Sequence, residues 1–360
     1  MKRIYLDYAS LTPIDKGVLK QINKFSKREY SNPSALYASA VKSKSVIEDA
    51  KQRIAKVLHS HPDEIIFTSG GTESNHLVLN HFKGQKIIVS SIEHSSIINA
   101  DKNSFDITYV SVDKNGQVDL DLLKKSITSE TALVSIMMVN NEIGTIQPIQ
   151  EIAKIVRDYK KNSNSQLPLL HTDASQAPIH LPIYVEKLGV DMITLDGNKI
   201  YGPRGVGMLY VKRGSVDIVR AGTENIPGIM GFTYALEIAE KMREKESGRI
   251  AELKEFFIDE LKKINTEIKV NGSNTTPHIL NISIPNIDSE FFVLQLDAKG
   301  IECSTKSACL RDEDESYVLK AIEVSSKDSV RFSFGRYTTK GELKKVLGVV
   351  KGILEKNTQK

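Results

Sequence analysis

The sequence predicts an α/β fold: a large region built on a mostly parallel sheet with helices on both faces, then a smaller α+β region. Three observations carry this. Short apolar runs alternate with amphipathic helical patterns as far as about Ile226. The runs are apolar nearly throughout rather than at every second residue, as strands covered on both faces must be. Beyond Ile226 the order changes to one long helical stretch, a few strands and a C-terminal helix.

In chain order, residues 1–20 read as an extended, irregular segment that packs with the smaller region. Residues 21–245 form the large α/β region and 246–360 the small one. Strands are predicted at 64–68, 86–90, 107–110, 132–139, 168–172, 192–195 and 207–211, where β-branched and apolar residues cluster. Helical spacing occupies 120–126 and 149–159 between them. A long helix at 233–264 crosses into the small region, which continues with strands at 278–284 and 330–334 and helices at 290–296 and from Lys340 onward.

Composition narrows the function. Of 360 residues, 40% are hydrophobic and 26% charged, which suits a packed globular core rather than a disordered chain. The net charge of +4, from 49 basic and 45 acidic residues, is too small to argue for nucleic acid. No run approaches the roughly 18 apolar residues of a membrane helix, and the start lacks the apolar core of a signal peptide. A cytoplasmic location is the expectation. Two cysteines, Cys303 and Cys309, without a nearby histidine are too few for a structural zinc site, so no metal is expected.

Several residues stand where α/β sheets place chemistry. Gly70-Gly71-Thr72 follows a strand and opens a helix, where backbone N–H groups and the helix dipole suit a phosphate; a plain turn is the alternative. Lys199 follows an apolar strand and precedes the Gly-Pro loop 202–207, a setting that can bury an amine and make it nucleophilic. Asp173 ends a strand and Gln176 follows it; Asp173 can hold a ring nitrogen or merely cap a helix. His94 and Asn141 also end strands, the first able to move protons, the second able to bond an oxygen or to satisfy a turn. Cys309 borders the acidic run 312–315, so it is expected on an exposed loop; the acids raise its pKa, which leaves deprotonation to the pocket, with His94 as candidate base. Cys303 is expected in the core. Arg331 and Arg336 can each clamp a carboxylate or form a surface ion pair.

Taken together and in order, Gly71-Thr72-Glu73-Ser74, His94, Asn140-Asn141-Glu142, Asp173-Ala174-Ser175-Gln176, Lys199-Ile200-Tyr201-Gly202-Pro203, Ser307-Ala308-Cys309 and the segment Arg331 to Arg336 resemble the cysteine desulfurases. These are class V aminotransferases of the fold-type I enzymes that depend on pyridoxal 5'-phosphate (PLP). The resemblance runs from Tyr5-Leu6-Asp7 to the C-terminal helix. It implies a homodimer with PLP on Lys199, His94 over the ring and Asp173 at the pyridine nitrogen. Gln176 and Asn141 would bond the ring oxygen. Gly71, Thr72, Asn198 and, from the second subunit, Thr223 would serve the phosphate end. Asn141, Arg336 and Asn32 would bind the substrate, with Arg336 on its carboxylate. The implied reaction turns L-cysteine into L-alanine, with the sulfur left as a persulfide on Cys309. It then passes to a sulfur-acceptor protein for iron–sulfur clusters or tRNA thiolation, and the long loop after Cys309 resembles the subgroup that serves scaffold proteins directly.

Three departures accompany the resemblance. Asp196-Gly197-Asn198-Lys199 replaces the family's Ser-x-His-Lys, which puts a carboxylate where a phosphate donor is expected. Like charges ~4 Å apart repel by roughly 4 kcal/mol at an effective dielectric near 20. A Gly-rich segment before Arg220-Ala221-Gly222-Thr223 is absent, and Tyr37 stands near a frequent histidine. Two other readings therefore stay open: another PLP lyase or aminotransferase reaction on the same fold, and a paralogue with impaired PLP binding that acts through protein contacts.

Overall fold

Twelve strands lie among the residues described by the computed structural model, which are 3–99, 104–305 and 315–357. In order they are β1 (Ile4–Tyr5), β2 (Ile65–Thr68), β3 (Lys86–Ser90), β4 (Asp106–Val110), β5 (Thr131–Ser135), β6 (Leu169–Asp173), β7 (Met192–Asp196), β8 (Gly207–Val211), β9 (Lys269–Asn271), β10 (Ile279–Ser283), β11 (Ile301–Glu302) and β12 (Ser329–Ser333). The large sheet runs β2-β8-β7-β6-β5-β3-β4. Strand β8 is antiparallel to both its neighbours, so the other six share one direction.

Alternation along each strand feeds two apolar layers. Ile87 and Val89 of β3 and Leu209 and Val211 of β8 pack on one face with Val78 and Leu79 of helix Gly71–His81 and with Phe82, its C-cap. Ile88, Met208 and Tyr210 point the other way, into a core shared with helices Ala38–Leu58, Ile149–Ser163 and the first half of Ile226–Ile264. Both faces are covered, which is why the sequence shows continuous apolar runs there.

A second core gathers Ile250, Leu253 and Phe257 from the far half of that long helix with Ile282 of β10, Val330 and Phe332 of β12, and Phe292 and Leu296 of helix Ser289–Asp297. Helix Lys340–Asn357 closes it with Leu343 and Val346. Here β12-β10-β9 is an antiparallel sheet. The N-terminal segment belongs to this core. Strand β1 pairs in parallel with β11, and Leu6 is fully buried among the same side chains.

Some boundaries differ from the sequence expectation. The long helix starts at Ile226 rather than near Thr233, because Pro227 sits in the first turn, where its missing N–H costs nothing, and Asn225 Oδ1 accepts from Gly228 N at 3.1 Å. Strand β5 ends at Ser135 because the run beyond it stays bonded on one side only: Ile136 N and Met138 N donate to His171 O and Asp173 O of β6, while Met137 N donates to Glu93 Oε1 at 2.9 Å. Helix Lys16–Arg28 begins inside the segment expected to be irregular, capped by Asp15 Oδ1 on Gly17 N. Strand β9 is too short to show a period in sequence.

At the start of β8 the backbones crowd. A Cβ on Gly207 would lie 2.6 Å from Leu195 O and 2.7 Å from Gly70 Cα. Neither is the end of a flexible side chain, so Gly207→Ala is expected to lower unfolding free energy by about 1–3 kcal/mol, as overpacking does. A urea midpoint equal to the parent's would show that β7 and the Gly70 turn can move apart without cost.

Candidate active site

The carboxyl ends of β2, β3, β5, β6 and β7 lead into one cavity of about 300 Å³, at the edge where open α/β sheets take ligands. Beyond β2, Gly70 adopts φ 149°, which favours glycine, and the helix Gly71–His81 starts there with its first N–H groups at the cavity wall.

Asp173 ends β6. Its Oδ1 accepts from Ser175 N at 2.9 Å and its Oδ2 from Asn75 Nδ2 at 2.8 Å. The same Asn75 amide donates to Ser96 Oγ at 2.9 Å, which lies 2.9 Å from His94 Nδ1. Because Ser96 N also donates to His94 Nδ1, at 3.2 Å, that nitrogen is the acceptor and a neutral His94 carries its proton on Nε2. Asn75 thus fixes the carboxylate and the imidazole relative to each other. Nothing in its sequence setting, one residue beyond the Gly-Thr-Glu-Ser motif, had marked it.

The N-terminal segment supplies the floor. Lys199 Nζ donates to Ser10 O at 2.5 Å and to Ala9 O at 3.1 Å. Gln176 Nε2 donates to the same Ala9 O at 2.8 Å, and Gln176 Oε1 lies 3.2 Å from His278 Nε2. Arg331, 1% exposed, donates from Nη1 to Asn141 O at 2.8 Å and pairs through Nη2 with Asp7 Oδ1 at 2.7 Å, while its Nε has no protein partner. At the helix end of the cavity, Asp196 Oδ2 accepts from Gly71 N at 3.0 Å and Oδ1 from Asn198 N at 2.9 Å. Ser175 Oγ and Asn198 Oδ1 are buried there without a partner.

This arrangement offers an amine, a fixed carboxylate, an imidazole and a buried guanidinium around one pocket. The comparisons with known proteins decide the family. The class-V aminotransferase model matches residues 4–220 and 214–346. A cysteine desulfurase IscS of Dictyoglomus turgidum is 41% identical, over 99% of this chain and 96% of its own. The chain belongs to the class-V cysteine desulfurases. Among solved structures, a NifS-like protein from Rickettsia africae superposes with TM-score 0.88 at 30% identity, over 98% of this chain and 99% of its own. A structure titled SspA in complex with cysteine matches with TM-score 0.78 at 30% identity, over 93% of this chain and all of its own.

Of the residues expected in the desulfurase site, Gly71, Thr72, His94, Asn141, Asp173, Gln176, Asn198 and Lys199 line the cavity together. Arg336 does not. Its Nη1 is paired with Asp15 Oδ2 at 2.7 Å, and its guanidinium lies 4.3 Å above the Tyr201 ring. Arg336 stands past the end of β12, where the chain has turned away, whereas Arg331 sits within the strand and reaches the cavity wall. Asn32 is exposed and outside the wall, with Oδ1 accepting from Ser34 N at 3.0 Å. Thr223 is exposed and does not line the cavity of its own chain.

Cys309 lies outside the described residues, but both flanks of its segment are anchored beside the cavity. Ser304 exchanges backbone hydrogen bonds with Arg331. On the other side Ser316 Oγ donates to Glu142 Oε2 at 2.6 Å and Tyr317 OH to Glu93 O at 2.5 Å. Cys303 packs, partly buried, against the second core.

Glu93, beside His94, is fully buried, and burial pushes its carboxyl up to about 8. A raised pKa means that the folded chain keeps a proton which the unfolded chain releases. The stability this gives is full below the ordinary carboxyl range and is lost as pH rises towards 8, with a slope approaching about 1.4 kcal/mol per pH unit. Glu93→Gln is expected to remove most of that slope between pH 5 and 8.5. Parallel urea-stability profiles for the two proteins would refute the assignment.

Proposed function

We propose that this desulfurase holds PLP on Lys199 and converts L-cysteine to L-alanine, leaving the sulfur as a persulfide on Cys309. The observation that carries this reading is the convergence of the Lys199 amine, the Asp173 carboxylate and the Gly71 helix N-terminus on one cavity. The residues fit the cofactor at those three points. An amine stands ready for a carbonyl, and a fixed carboxylate can pair with a ring N–H. At the third point the helix start and the unpartnered Ser175 hydroxyl suit an anionic tail, with the Gly71 N–H itself held by Asp196 Oδ2. When bound, PLP supplies an electron sink next to the substrate's α-carbon.

The chain's own residues do the rest. Arg331, which lines the cavity and is held in place by Asp7 and Asn141 O, would take the α-carboxylate of cysteine. Asn75 and Ser96 keep His94 Nδ1 occupied, so Nε2 is the atom that exchanges protons with the substrate or with Cys309. Sulfur transfer breaks the substrate's carbon–sulfur bond and forms a sulfur–sulfur bond to Cys309. The electron pair stays with the carbon fragment, which takes up a proton to become alanine.

A homodimer is proposed from the exposed apolar residues Tyr30, Leu36, Val41 and Val219, with Leu36 96% exposed. Thr223, which its own cavity does not use, is then available to the partner's. The cysteine-bound structural relative supports cysteine as substrate. A sulfur-acceptor protein, either an iron–sulfur scaffold or a tRNA-thiolation enzyme, is the proposed consumer of the persulfide. The cytoplasm is the proposed location; among the described residues no helix is long and apolar enough to cross a membrane.

Three measurements test this reading. Borohydride reduction after PLP addition is expected to place a pyridoxyl label on Lys199, and a folded protein with no label would favour the paralogue that acts only through contacts. Cys309→Ala is expected to abolish alanine formation from cysteine, while Arg331→Lys, which keeps the buried charge that Asp7 and Asn141 O hold, is expected to raise KM by at least about tenfold as the planar carboxylate-binding group is lost. Light scattering at micromolar concentration is expected to give twice the chain mass; a monomer would sink the dimer proposal.

A further inference from the structure

We infer that Asp196 is a built-in competitor for the cofactor's phosphate, so that PLP binds this chain with little more affinity than its unphosphorylated analogue. The inference rests on the PLP reading above and concerns which part of the cofactor the site recognises.

The Gly70-Gly71 turn and the helix behind it form the cavity's anion-binding end, because the first N–H groups of a helix lack partners within it. Here the Gly71 N–H already has one: Asp196 Oδ2, at 3.0 Å. The other carboxylate oxygen is held by Asn198 N at 2.9 Å, so the group is fixed at both ends. It also lies against the turn itself. A Cβ on Gly70 would stand 3.3 Å from Oδ2, and one on Gly71 3.4 Å from it. An internal anion therefore occupies the donor that a phosphate would use.

The surroundings still belong to an anion site. Ser175 Oγ is buried without a partner and would be 3.2 Å from a Cβ on Gly71. Thr72 lines the same end. Among the described residues no ion pair holds Asp196: Lys199, in the same cavity, donates to Ala9 O and Ser10 O, and Arg220, near the helix start, is paired with Glu73. A phosphate arriving here must share Gly71 with a carboxylate of its own sign or push it aside. Glycines at 70 and 71 leave room for the phosphate's approach, and Asp196 takes back the gain.

The test compares PLP with pyridoxal, which has the same ring and aldehyde without the phosphate, in the parent and in Asp196→Asn and Asp196→Ser. Binding is read by absorbance titration, and the attachment point by borohydride reduction and peptide mapping. Both variants remove the charge; Asn keeps the shape, and Ser supplies a hydroxyl donor. The ratio of pyridoxal to PLP dissociation constants is expected to rise by at least about tenfold in both variants, since like charges this close repel strongly even after screening. Pyridoxal affinity is expected to stay within about threefold of the parent's, as it carries no phosphate charge for residue 196 to repel. Inorganic phosphate is expected to raise the melting temperature of the variants more than that of the parent.

An unchanged ratio in both folded variants would overturn the inference. If neither ligand labels Lys199 in any of the three proteins, the cofactor reading itself fails. The phosphate measurement then decides the role of Asp196 alone: equal stabilisation of parent and variants would overturn it as well.

Discussion

One buried guanidinium fixes the relation between the parts of this molecule. Arg331 lies in β12 of the small sheet, is 1% exposed, and cannot be left unpaired without a large desolvation cost. Its two partners come from elsewhere: Asp7 from the N-terminal segment and the Asn141 carbonyl from the chain beyond β5 of the large sheet. Satisfying one charge therefore brings three distant stretches of sequence to one point. Once Asp7 is pinned, the next residues have little choice of path. Ala9 N donates to Ser333 Oγ at 2.9 Å, and the carbonyls of Ala9 and Ser10 arrive over Lys199. The floor of the cavity is thus a consequence of how the two cores are joined.

The other walls follow from topology. Six strands of one direction expose their carboxyl ends along one edge, and the crossovers between them put the following loops there too. Gly70-Gly71, His94, Asn141, Asp173 and Asp196 are each the residue at, or just beyond, such an end. Their distance in sequence is large and their distance in space is small because each intervening helix returns the chain to the opposite edge. The Asp173–Asn75–Ser96–His94 chain of hydrogen bonds joins the products of three of these ends, although Asn75 and Asp173 are 98 positions apart in sequence.

That division also explains what could be read without coordinates. Continuous apolar runs marked the central strands, and residues just past them marked the cavity, because strand ends are local signals. Most of the wall was legible on this basis. The arginine was not. Arg331 and Arg336 lie in one short segment, and either can clamp a carboxylate on chemistry alone; only the end of β12 and the position of Asp15 separate them. Asn75 and the carbonyls of Ala9 and Ser10 carried no signal, since an amide on a helix and a backbone oxygen in an extended segment look the same whether or not they meet a site. Asp196 was visible as an unusual residue, but its bond to Gly71 N, 125 positions away, needed the sheet to be assembled.

Burial sorts the charges around this site. Glu93 is pushed up to about 8, His171 down to about 4 and His278 well below its ordinary value, in each case chiefly by desolvation. Near neutral pH these groups are uncharged, and they serve as fixed hydrogen-bonding parts. His278 shows how tightly. Gln176 Nε2 must donate to Ala9 O, which turns Gln176 Oε1 towards His278, so the proton of a neutral His278 has to sit on Nε2. Losing that proton's place would leave two buried acceptors facing each other. The carboxyl and guanidinium groups at the cavity are each held by partners: Arg331 on Asp7, Asp173 on Asn75 and Ser175 N, Asp196 on Gly71 and Asn198. Most of these held charges are what an amino-acid substrate and a cationic ring would need. Asp196 is held equally well, and by the donor that an anion from outside would need, so the same rule that builds the site also sets a limit on what it binds.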